Sequence, residues 1–400
     1  MNKSIKNSKS VISIITPNTD TYTNPTMTAL FHILKEQRVD VYLFGPDQQP
    51  SCPDNIQNVR FVRSVFKLNL FKNPIHFKAH WTSYFKIIRL LRKEKISTLL
   101  AVDPMGIIVG GRIKRFIGKK INLSYISFEI FFKNELSGYY LKMKEKEIYY
   151  SGFIDSLLIQ DEKRRDLLIN ENSISIPPEC IALVPVSPVK IEIAEKPDIH
   201  TSLNIPVDKK LVIYSGSVGA WCGTDAIIEA FDKGYWNNDY WLVFHTRKII
   251  QSNDAYYEEL MRLENDVNIP FSMHPHPFDS FEELSVFLSG FDLALALYYP
   301  NNENPYYGKN MKEIGLSSGK FSTYMMLGIP TIVTPCDIYA DLILKYPFGA
   351  VLQDINQIGT LLSETVFDKQ GAYQLYNEKL QPMDKLKKYI EIINTLQKNK

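Results

Sequence analysis

Two short segments combine glycine, hydroxyl and basic residues in the manner of phosphate-binding loops. In residues 214–224 the glycines follow a G-x-x-G-x-x-x-G spacing, which differs from the G-x-G-x-x-G dinucleotide fingerprint and removes the main support for a dehydrogenase. In residues 315–321 only three residues separate the glycines and Phe321 follows Lys320, so this segment is not a Walker motif. Each segment precedes a predicted helix, where backbone N–H groups and the helix dipole attract anions.

The second segment has the better side chains for binding a diphosphate. The residues expected to surround phosphate oxygens at the helix start are Ser317, Ser318, Gly319 and Lys320. Among them, Lys320 would neutralise the diphosphate charge and so assist its departure in a reaction. The competing interpretation is simple helix capping, in which Thr224 or one of the two serines bonds free N–H groups without any ligand.

Two carboxylates that end predicted strands in the N-terminal half are candidates for acid–base chemistry. Glu129 could orient or deprotonate an acceptor hydroxyl, which makes it the candidate catalytic base. A solvated or salt-bridged Glu129 is the alternative. Asp103 also follows a strand and is a second acceptor-site candidate, although Asp before Pro is common in plain turns.

No metal site is expected from the sequence. His245, His274 and His276 lack metal-ligand spacing with Cys, Asp or Glu, and the chain contains no Asp-x-Asp pair of the kind that often holds a diphosphate through a divalent ion. We therefore predict a metal-independent site without a cofactor. Arg247 and Lys248, just after a predicted strand, would help to bind the diphosphate, with simple surface exposure as the alternative.

The elements that must position these residues are predicted by hydrophobic periodicity. Short apolar runs alternate with segments of helical spacing, which indicates parallel strands joined by crossover helices. Strands are predicted at 11–16, 39–44, 97–102, 121–127, 211–214, 240–245, 291–296 and 331–334. Helices are predicted at 27–37, 77–95, 224–231, 280–289, 319–327 and 373–397.

This pattern predicts an α/β fold of two doubly wound, Rossmann-like domains that face each other across a cleft. A proline-rich stretch at 176–206 is interpreted as the linker between them. The predicted domains are 1–190 and 191–372, and a C-terminal helical segment, 373–400, is expected to cross back onto the first domain. Ligands in such folds bind beyond the carboxyl ends of the strands, where both glycine loops are predicted to lie.

Composition excludes several classes of protein. The 400 residues are 45% apolar, which fits two to three domains, and a net charge of +2 argues against a nucleic-acid binder. Residues 1–190 nevertheless carry 28 basic and 17 acidic side chains, so the two halves have opposite net charge. The cysteines, at positions 52, 180, 222 and 336, form no C-x-x-C pair, and no apolar run is long enough for a signal peptide or membrane span. A cytoplasmic protein is expected.

Several segments together resemble GT-B-type glycosyltransferases, in particular the broad retaining family that includes bacterial cell-surface polysaccharide enzymes. Residues 291–300 and 315–333 look like the donor-site strand, loop, helix and Gly-x-Pro strand of that family, and residues 211–231 look like the first strand, loop and helix of its donor domain. Residues 127–129 and 160–168 look like segments of its acceptor domain.

The resemblance implies a nucleotide-sugar-dependent hexosyltransferase whose C-terminal domain binds the NDP-sugar. Gly216 and Ser217 would lie near the diphosphate, the 317–320 cradle around the phosphates or sugar, and Thr323 also at the donor. The N-terminal domain would bind a saccharide or lipid-linked acceptor. The chain departs from the family pattern in three places: Gly315 and Thr323 stand where two glutamates are usual, Ser217 and Cys222 stand where an arginine and a lysine are usual, and residues 17–22 replace the acceptor-domain glycine loop.

Retention is the expected stereochemistry by resemblance, while the residues alone leave inversion open. Two other functions remain alternatives: a non-catalytic subunit that keeps the fold, and a sugar-nucleotide epimerase, which needs no acceptor. The segment 60–95 interleaves basic and aromatic residues, a pattern that suits an anionic membrane surface at the inner face of a membrane. A solvated basic helix face is the competing interpretation.

Overall fold

The computed structural model describes residues 11–16, 24–45, 59–61, 77–335 and 337–398. The chain divides into two compact units, and unit 1 comprises Met1–Val189 with Pro382–Lys400, whereas unit 2 comprises Lys190–Gln381. Within the described residues, no helix combines the length and apolar content that crossing a bilayer requires.

Unit 1 is built on one parallel sheet. Its strands within the described residues are β1 (Val11–Ile15), β2 (Asp40–Phe44), β3 (Val59–Phe61), β4 (Thr98–Val102), β5 (Asn122–Ile126), β6 (Ser156–Ile159) and β7 (Ile181–Leu183). They are ordered β3-β2-β1-β4-β5-β6-β7. The helices between them are α1 (Pro25–Glu36), α2 (Phe77–Lys93), α3 (Asp103–Ile117), α4 (Gly138–Ser151) and α5 (Glu162–Asn172). The central strands β4 and β5 are buried along their whole length, as parallel strands covered on both faces must be.

Unit 2 repeats this design with a parallel sheet ordered β10-β9-β8-β11-β12-β13. Its strands are β8 (Lys210–Gly216), β9 (Tyr240–Thr246), β10 (Phe271–His274), β11 (Leu293–Ala296), β12 (Thr331–Val333) and β13 (Gly349–Val351). Its helices are α6 (Ile199–Leu203), α7 (Thr224–Asp232), α8 (Tyr257–Asn265), α9 (Phe281–Ser289), α10 (Lys309–Lys312), α11 (Gly319–Met326), α12 (Asp337–Lys345), α13 (Ile358–Glu364) and α14 (Lys369–Leu375). The strand order reverses between β8 and β11, in the middle of the sheet. In open α/β sheets, ligands bind beyond the carboxyl ends of the strands at such a reversal.

The last helix, α15 (Met383–Lys398), belongs to unit 1. Its Leu386, Tyr389 and Ile393 enter the same apolar cluster as α1, and the Tyr389 hydroxyl lies 2.6 Å from Ser124 Oγ in β5. The single helix predicted over 373–397 is wrong in its continuity, because α14 passes through a π-helical turn, Tyr376–Leu380, before α15 begins. Pro382 lacks an N–H group and disfavours helical backbone in the residue before it, which separates the two helices.

The predicted linker at 176–206 is also only partly a linker. Its first half forms β7, whose residues pair with β6 at the edge of the sheet of unit 1. Val184 and Val186, just beyond β7, are buried in the core shared with α15. The boundary between the units falls after Val189, and α6 already belongs to unit 2. The prolines led to the prediction of a linker over the whole stretch. An edge strand can have proline at its ends, because no hydrogen bond between strands is lost there.

Helix α3 is absent from the sequence prediction. Its sequence holds glycines at 106, 110 and 111 and has almost no polar face, so neither propensity nor periodicity indicates a helix. The glycines permit close packing instead. A methyl group at Gly111 would lie 2.5 Å from Cβ of Tyr150 in α4, and one at Gly106 would lie 3.1 Å from the Ile15 carbonyl oxygen of β1. The helix is therefore formed by tertiary packing on both its sides.

Candidate functional site

The glycine loop after β8 is held in shape by its own side chains. Gly219 and Gly223 have φ of 155° and 87°, values that non-glycine residues rarely adopt. The hydroxyl group of Tyr214 donates to the carbonyl of Ser217 at 2.6 Å and to that of Cys222 at 3.1 Å. The Ser217 side chain itself is exposed. The loop backbone is thus fixed next to the end of β8, and the carbonyl groups of Ser217 and Cys222 are already used inside the loop.

Thr224 does not cap the helix that it begins. Its Oγ1 accepts a hydrogen bond of 2.9 Å from the N–H of Gly219, across the loop, and no side chain caps α7. The N–H groups in the first turn of a helix have no partner within the helix. The capping interpretation of this segment is therefore wrong for Thr224, whose hydroxyl group closes the loop instead.

At the start of α11, the capping interpretation of the sequence is confirmed for Ser318. Ser318 caps the helix: its Oγ accepts the Phe321 N–H at 3.0 Å and shares a second hydrogen bond with the Tyr298 hydroxyl group. Thr323 donates from Oγ1 to the carbonyl of Gly319 at 2.8 Å. These two hydroxyl groups serve the helix. Ser317 is half-buried in the 3₁₀ turn just before the cap.

Lys320 projects from the first turn of α11 to the end of β8. Its Nζ lies 4.1 Å from the ring centroid of Tyr214 and 5.4 Å from that of Tyr298, so two aromatic faces stabilise the ammonium group. A methyl group at Gly216 would lie 3.1 Å from Nζ, which shows how closely the amine approaches the strand end. Nζ is buried and has no hydrogen-bond partner in the part of the chain that the structure describes.

The charge on Lys320 is held in an unfavourable environment. Burial lowers its pKa to about 8; proximity to Cys222 partly opposes the fall and the positive charge of Arg247 adds to it. A buried cation without a counter-ion is costly unless a ligand supplies the negative charge. The end of β8, the first turn of α11 and Lys320 therefore form a site that an anion would complete.

Arg247 and His245 lie at the end of β9, next to this site. The Arg247 side chain is exposed, and the backbone N–H of Arg247 donates to the carbonyl of Gly216 at 3.4 Å. His245 is buried with Nδ1 2.7 Å from Ser215 Oγ, and burial lowers its pKa to about 4, with His274 and Arg247 acting in the same direction. His245 is therefore neutral at pH 7 and contributes no charge to the anion site.

In unit 1, Asp103 and Glu129 come together at the carboxyl ends of β4 and β5. Asp103 adopts a positive φ of 59° at the start of α3, and its Oδ1 accepts the N–H groups of Phe128 at 2.8 Å and of Glu129 at 3.1 Å. Burial, with the negative charge of Glu129 as the second cause, raises the pKa of Asp103 to about 7. Asp103 thus holds the backbone of the loop that carries Glu129, while Glu129 itself is half-buried.

Further residues that the sequence did not single out support the Glu129 loop and surround Lys320. Arg164 of α5 is buried and donates from Nη2 to the Phe128 carbonyl at 2.8 Å, and from Nε to Gln160 at 2.9 Å. Gln160 in turn donates to the Ser127 carbonyl at 2.7 Å. Arg164 lies within a segment that resembles the family, which was a usable signal. The aromatic residues around Lys320 gave none, because a tyrosine in a buried strand looks like any core residue.

No group of three His, Cys, Asp or Glu side chains suited to a metal ion occurs among the described residues. A scan of protein-family models finds no match to this chain. A search of curated proteins also finds none. Comparison with solved structures, in contrast, finds many similar chains.

Three of the similar structures cover almost the whole of this chain. HepE of Anabaena in complex with UDP-glucose is 12% identical, with a TM-score of 0.67 over 97% of this chain and 99% of that one. Sucrose-phosphate synthase from Thermosynechococcus elongatus is 13% identical, with a TM-score of 0.65 over 97% and 95% of the two chains. The chain has the GT-B fold. A candidate UDP-N-acetylglucosamine 2-epimerase from Listeria monocytogenes, 12% identical with a TM-score of 0.58 over 98% and 96%, shares this fold.

Proposed function

We propose that this GT-B chain is a glycosyltransferase that moves a hexosyl group from a nucleotide-sugar to a saccharide or lipid-linked saccharide acceptor in cell-surface polysaccharide synthesis. The observation that carries the proposal is the buried Nζ of Lys320, which lacks a hydrogen-bond partner within the described residues and lies beside Gly216 and the first turn of α11. A diphosphate supplies the charge that this site lacks. The similarity to HepE, solved with UDP-glucose, supports a nucleotide-sugar as the source of that diphosphate.

The chemistry follows from where charge develops. Cleavage of the sugar–phosphate bond leaves positive charge on the sugar and negative charge on the departing diphosphate. Lys320 and the N–H groups at the start of α11 would stabilise that negative charge, and Arg247, exposed on the neighbouring strand end, would reach the nucleotide from solvent. Ser318 and Thr323 would act by fixing the helix, since their hydroxyl groups bond within it. No metal ion is needed in this scheme.

Unit 1 would bind the acceptor. Glu129 is held by a loop whose backbone is fixed by Asp103, Gln160 and Arg164, and this rigidity suits a carboxylate that must orient a hydroxyl group. In a retaining reaction the acceptor attacks from the leaving-group face, and a phosphate oxygen can take its proton. In an inverting reaction Glu129 would take it. We propose retention and a cytoplasmic location at the inner face of a membrane.

One experiment separates this function from its alternatives. The protein is incubated with UDP-, GDP- and dTDP-sugars, with and without a saccharide acceptor, and products are followed by mass spectrometry. Transfer or hydrolysis supports the proposed enzyme. An altered sugar still attached to its nucleotide would identify an epimerase, the alternative favoured by the fold shared with the Listeria protein. Binding without turnover would identify a non-catalytic subunit, which the absence of glutamate at Gly315 and Thr323 favours.

The site assignment is tested with a matched pair of lysines. Lys320→Met should abolish detectable nucleotide binding or weaken it at least tenfold, because it removes the buried charge and keeps the aliphatic volume. Lys312→Met removes an exposed lysine of the preceding helix α10 and should leave binding unchanged. Equal affinity of both variants for UDP would show that Lys320 is not part of the donor site.

A further inference from the structure

Exposed aromatic residues are concentrated on unit 1. Among the described residues, the large exposed hydrophobic side chains of unit 2 are isolated aliphatic residues and Tyr373. In unit 1 they are all aromatic, and the most exposed are Trp81 at 53%, Phe85 at 58%, Phe116 at 52% and Tyr149 at 49%. Exposed apolar groups that cluster, unlike those that are scattered, mark an interaction surface.

These aromatic residues lie on three neighbouring helices, α2, α3 and α4. The buried Arg112 of α3 joins the three, since it donates to the hydroxyl group of Tyr84 in α2 at 3.0 Å and to that of Tyr150 in α4 at 3.2 Å. Phe85 and Tyr149 are the chain neighbours of these two buried tyrosines and turn outward instead. The exposed Phe85 and Tyr149 therefore lie next to the buried hydrogen bonds that join the three helices.

Direct ring contacts connect two pairs of residues on these helices. The rings of Trp81 and Phe85 meet edge to face at 5.6 Å on the outer side of α2. The Arg115 guanidinium of α3 lies 5.8 Å from the ring centroid of Tyr149 in α4. We define the aromatic-basic face as the surface formed by Trp81, Phe85, Arg89, Arg115, Phe116 and Tyr149.

The charge of this surface is strongly one-sided. Residues 81–120 contain ten Lys or Arg and only two acidic residues, Glu94 and Asp103. Asp103 is buried, and Glu94 pairs with Lys93 at 3.5 Å. Of the basic residues, Lys114 is bonded to Asp155, whereas Arg89, Arg115 and Lys119 are exposed. The face thus presents aromatic rings within a field of positive charge.

We infer that the aromatic-basic face docks unit 1 onto an anionic lipid bilayer. Trp, Phe and Tyr side chains partition to the membrane interface, and neighbouring lysines and arginines bind anionic headgroups. Helix α4 adds the exposed Lys142 and Lys146 and one exposed carboxylate, Glu145. A surface with both features and this excess of basic over acidic side chains has the charge complementarity that an anionic membrane needs. That the bilayer also carries the acceptor rests on the proposed function. Vesicle binding is measured without donor or acceptor, so it tests the docking independently of that function.

Structure adds residues that the sequence pattern did not include. The basic-aromatic pattern predicted a membrane segment at 60–95, of which residues 62–76 lie outside the described part of the chain. Within that segment, α2 confirms the predicted helix, and the structure places Tyr84, Ile87 and Leu91 in the core but leaves Trp81 and Phe85 exposed. Folding brings Arg115, at the end of α3, against Tyr149 of α4, and Arg112 joins both helices to α2.

Vesicle co-sedimentation of the full chain tests the inference. Wild-type protein should bind vesicles of phosphatidylcholine with one quarter phosphatidylglycerol, and bind pure phosphatidylcholine at least tenfold more weakly. The double variant Trp81→Ser/Phe85→Ser should lose at least tenfold in affinity. Arg115→Gln should lose about fivefold, the usual effect of one basic residue near an anionic surface. The matched control is Leu344→Ser, which removes an apolar side chain of unit 2 that is 87% exposed, and it should bind as the wild type does.

Fluorescence provides a readout that does not depend on a mutation being tolerated. Trp81 is the one tryptophan of unit 1 in the sequence, so anionic vesicles should shift part of the emission to the blue, and Trp81→Phe should bind but show no shift. Equal affinity of the wild type for the two vesicle types would overturn the inference. So would a loss of affinity in Leu344→Ser as large as that in Trp81→Ser/Phe85→Ser. So would binding to single-stranded RNA with none to vesicles, or self-association in sedimentation that Trp81→Ser/Phe85→Ser abolishes.

Discussion

Raising the pH from 7 to 9 should weaken UDP binding about tenfold, because Lys320 loses its charge over this range. Burial places the pKa of this lysine at about 8 in the unliganded protein. About nine-tenths of it is then protonated at pH 7 and about one-tenth at pH 9. If only the charged form binds the diphosphate, the ratio of about ten corresponds to about 1.4 kcal/mol of binding free energy.

Three neutral groups around Lys320 do not titrate in this window. The pKa of Tyr214 is raised well above its usual value by burial, so its hydroxyl group stays neutral. Burial likewise raises the pKa of Tyr324, and it lowers that of His245 to about 4, so both are neutral throughout.

Isothermal titration calorimetry of UDP at several pH values measures the effect. Buffers of different ionisation enthalpy should reveal proton uptake on binding near pH 8 to 9, since the diphosphate holds Lys320 in its charged form. Lys320→Met should bind weakly and with no change across the range, while Lys312→Met should reproduce the wild-type slope. An affinity for UDP that is constant from pH 7 to 9 in the wild type would refute the reasoning.

Three further predictions follow from the same contacts. Gly216→Ala should weaken UDP binding several-fold with little change in melting temperature, because its methyl group would lie 3.0 Å from Cε and 3.1 Å from Nζ of Lys320; unchanged binding would place the diphosphate elsewhere. Ser318→Ala should lower the free energy of unfolding by about 1 kcal/mol through loss of the cap on α11, measured by urea denaturation. The folded wild type holds the Asp103 proton up to about pH 7, so its free energy of unfolding should fall as the pH rises from about 4 to 7. Asp103→Asn should reduce this fall. Equal melting temperatures of the wild type at pH 5 and 7.5 would contradict the prediction.

Much of the fold was predictable because its periodicity is strong. The strands β1, β4 and β9 were predicted to within one residue at each end, since buried parallel strands are continuous apolar runs. Helix α3 was not predictable in the same way. Its glycines lower helix propensity and are retained for contacts with β1 and α4, which only the folded chain reveals. The edge strand β7 was hidden by prolines whose effect depends on their position in the sheet.

The sequence predicted where the candidate site residues lie in the fold better than it predicted which groups their side chains contact. Lys320 and Gly216 were placed correctly at a helix start and a strand end, and folding brings them to within contact distance. The sequence could not assign the hydroxyl groups: Ser318 caps α11, whereas Thr224 bonds across its loop. Nor could it indicate that Tyr214 and Tyr298 flank the amine, because that depends on the pairing of β8 with β11. Asp103 and Glu129 remain predicted acceptor residues.

The return of α15 to unit 1 has a consequence for the order in which the chain can fold during synthesis. Leu386, Tyr389 and Ile393 complete an apolar core whose members outside α15 lie between Ile12 and Val189 and are made much earlier. Unit 2, which is continuous in sequence, can close as soon as it emerges from the ribosome. The core of unit 1 stays partly open until α15 has been made, so the first half of the chain completes its fold after the second.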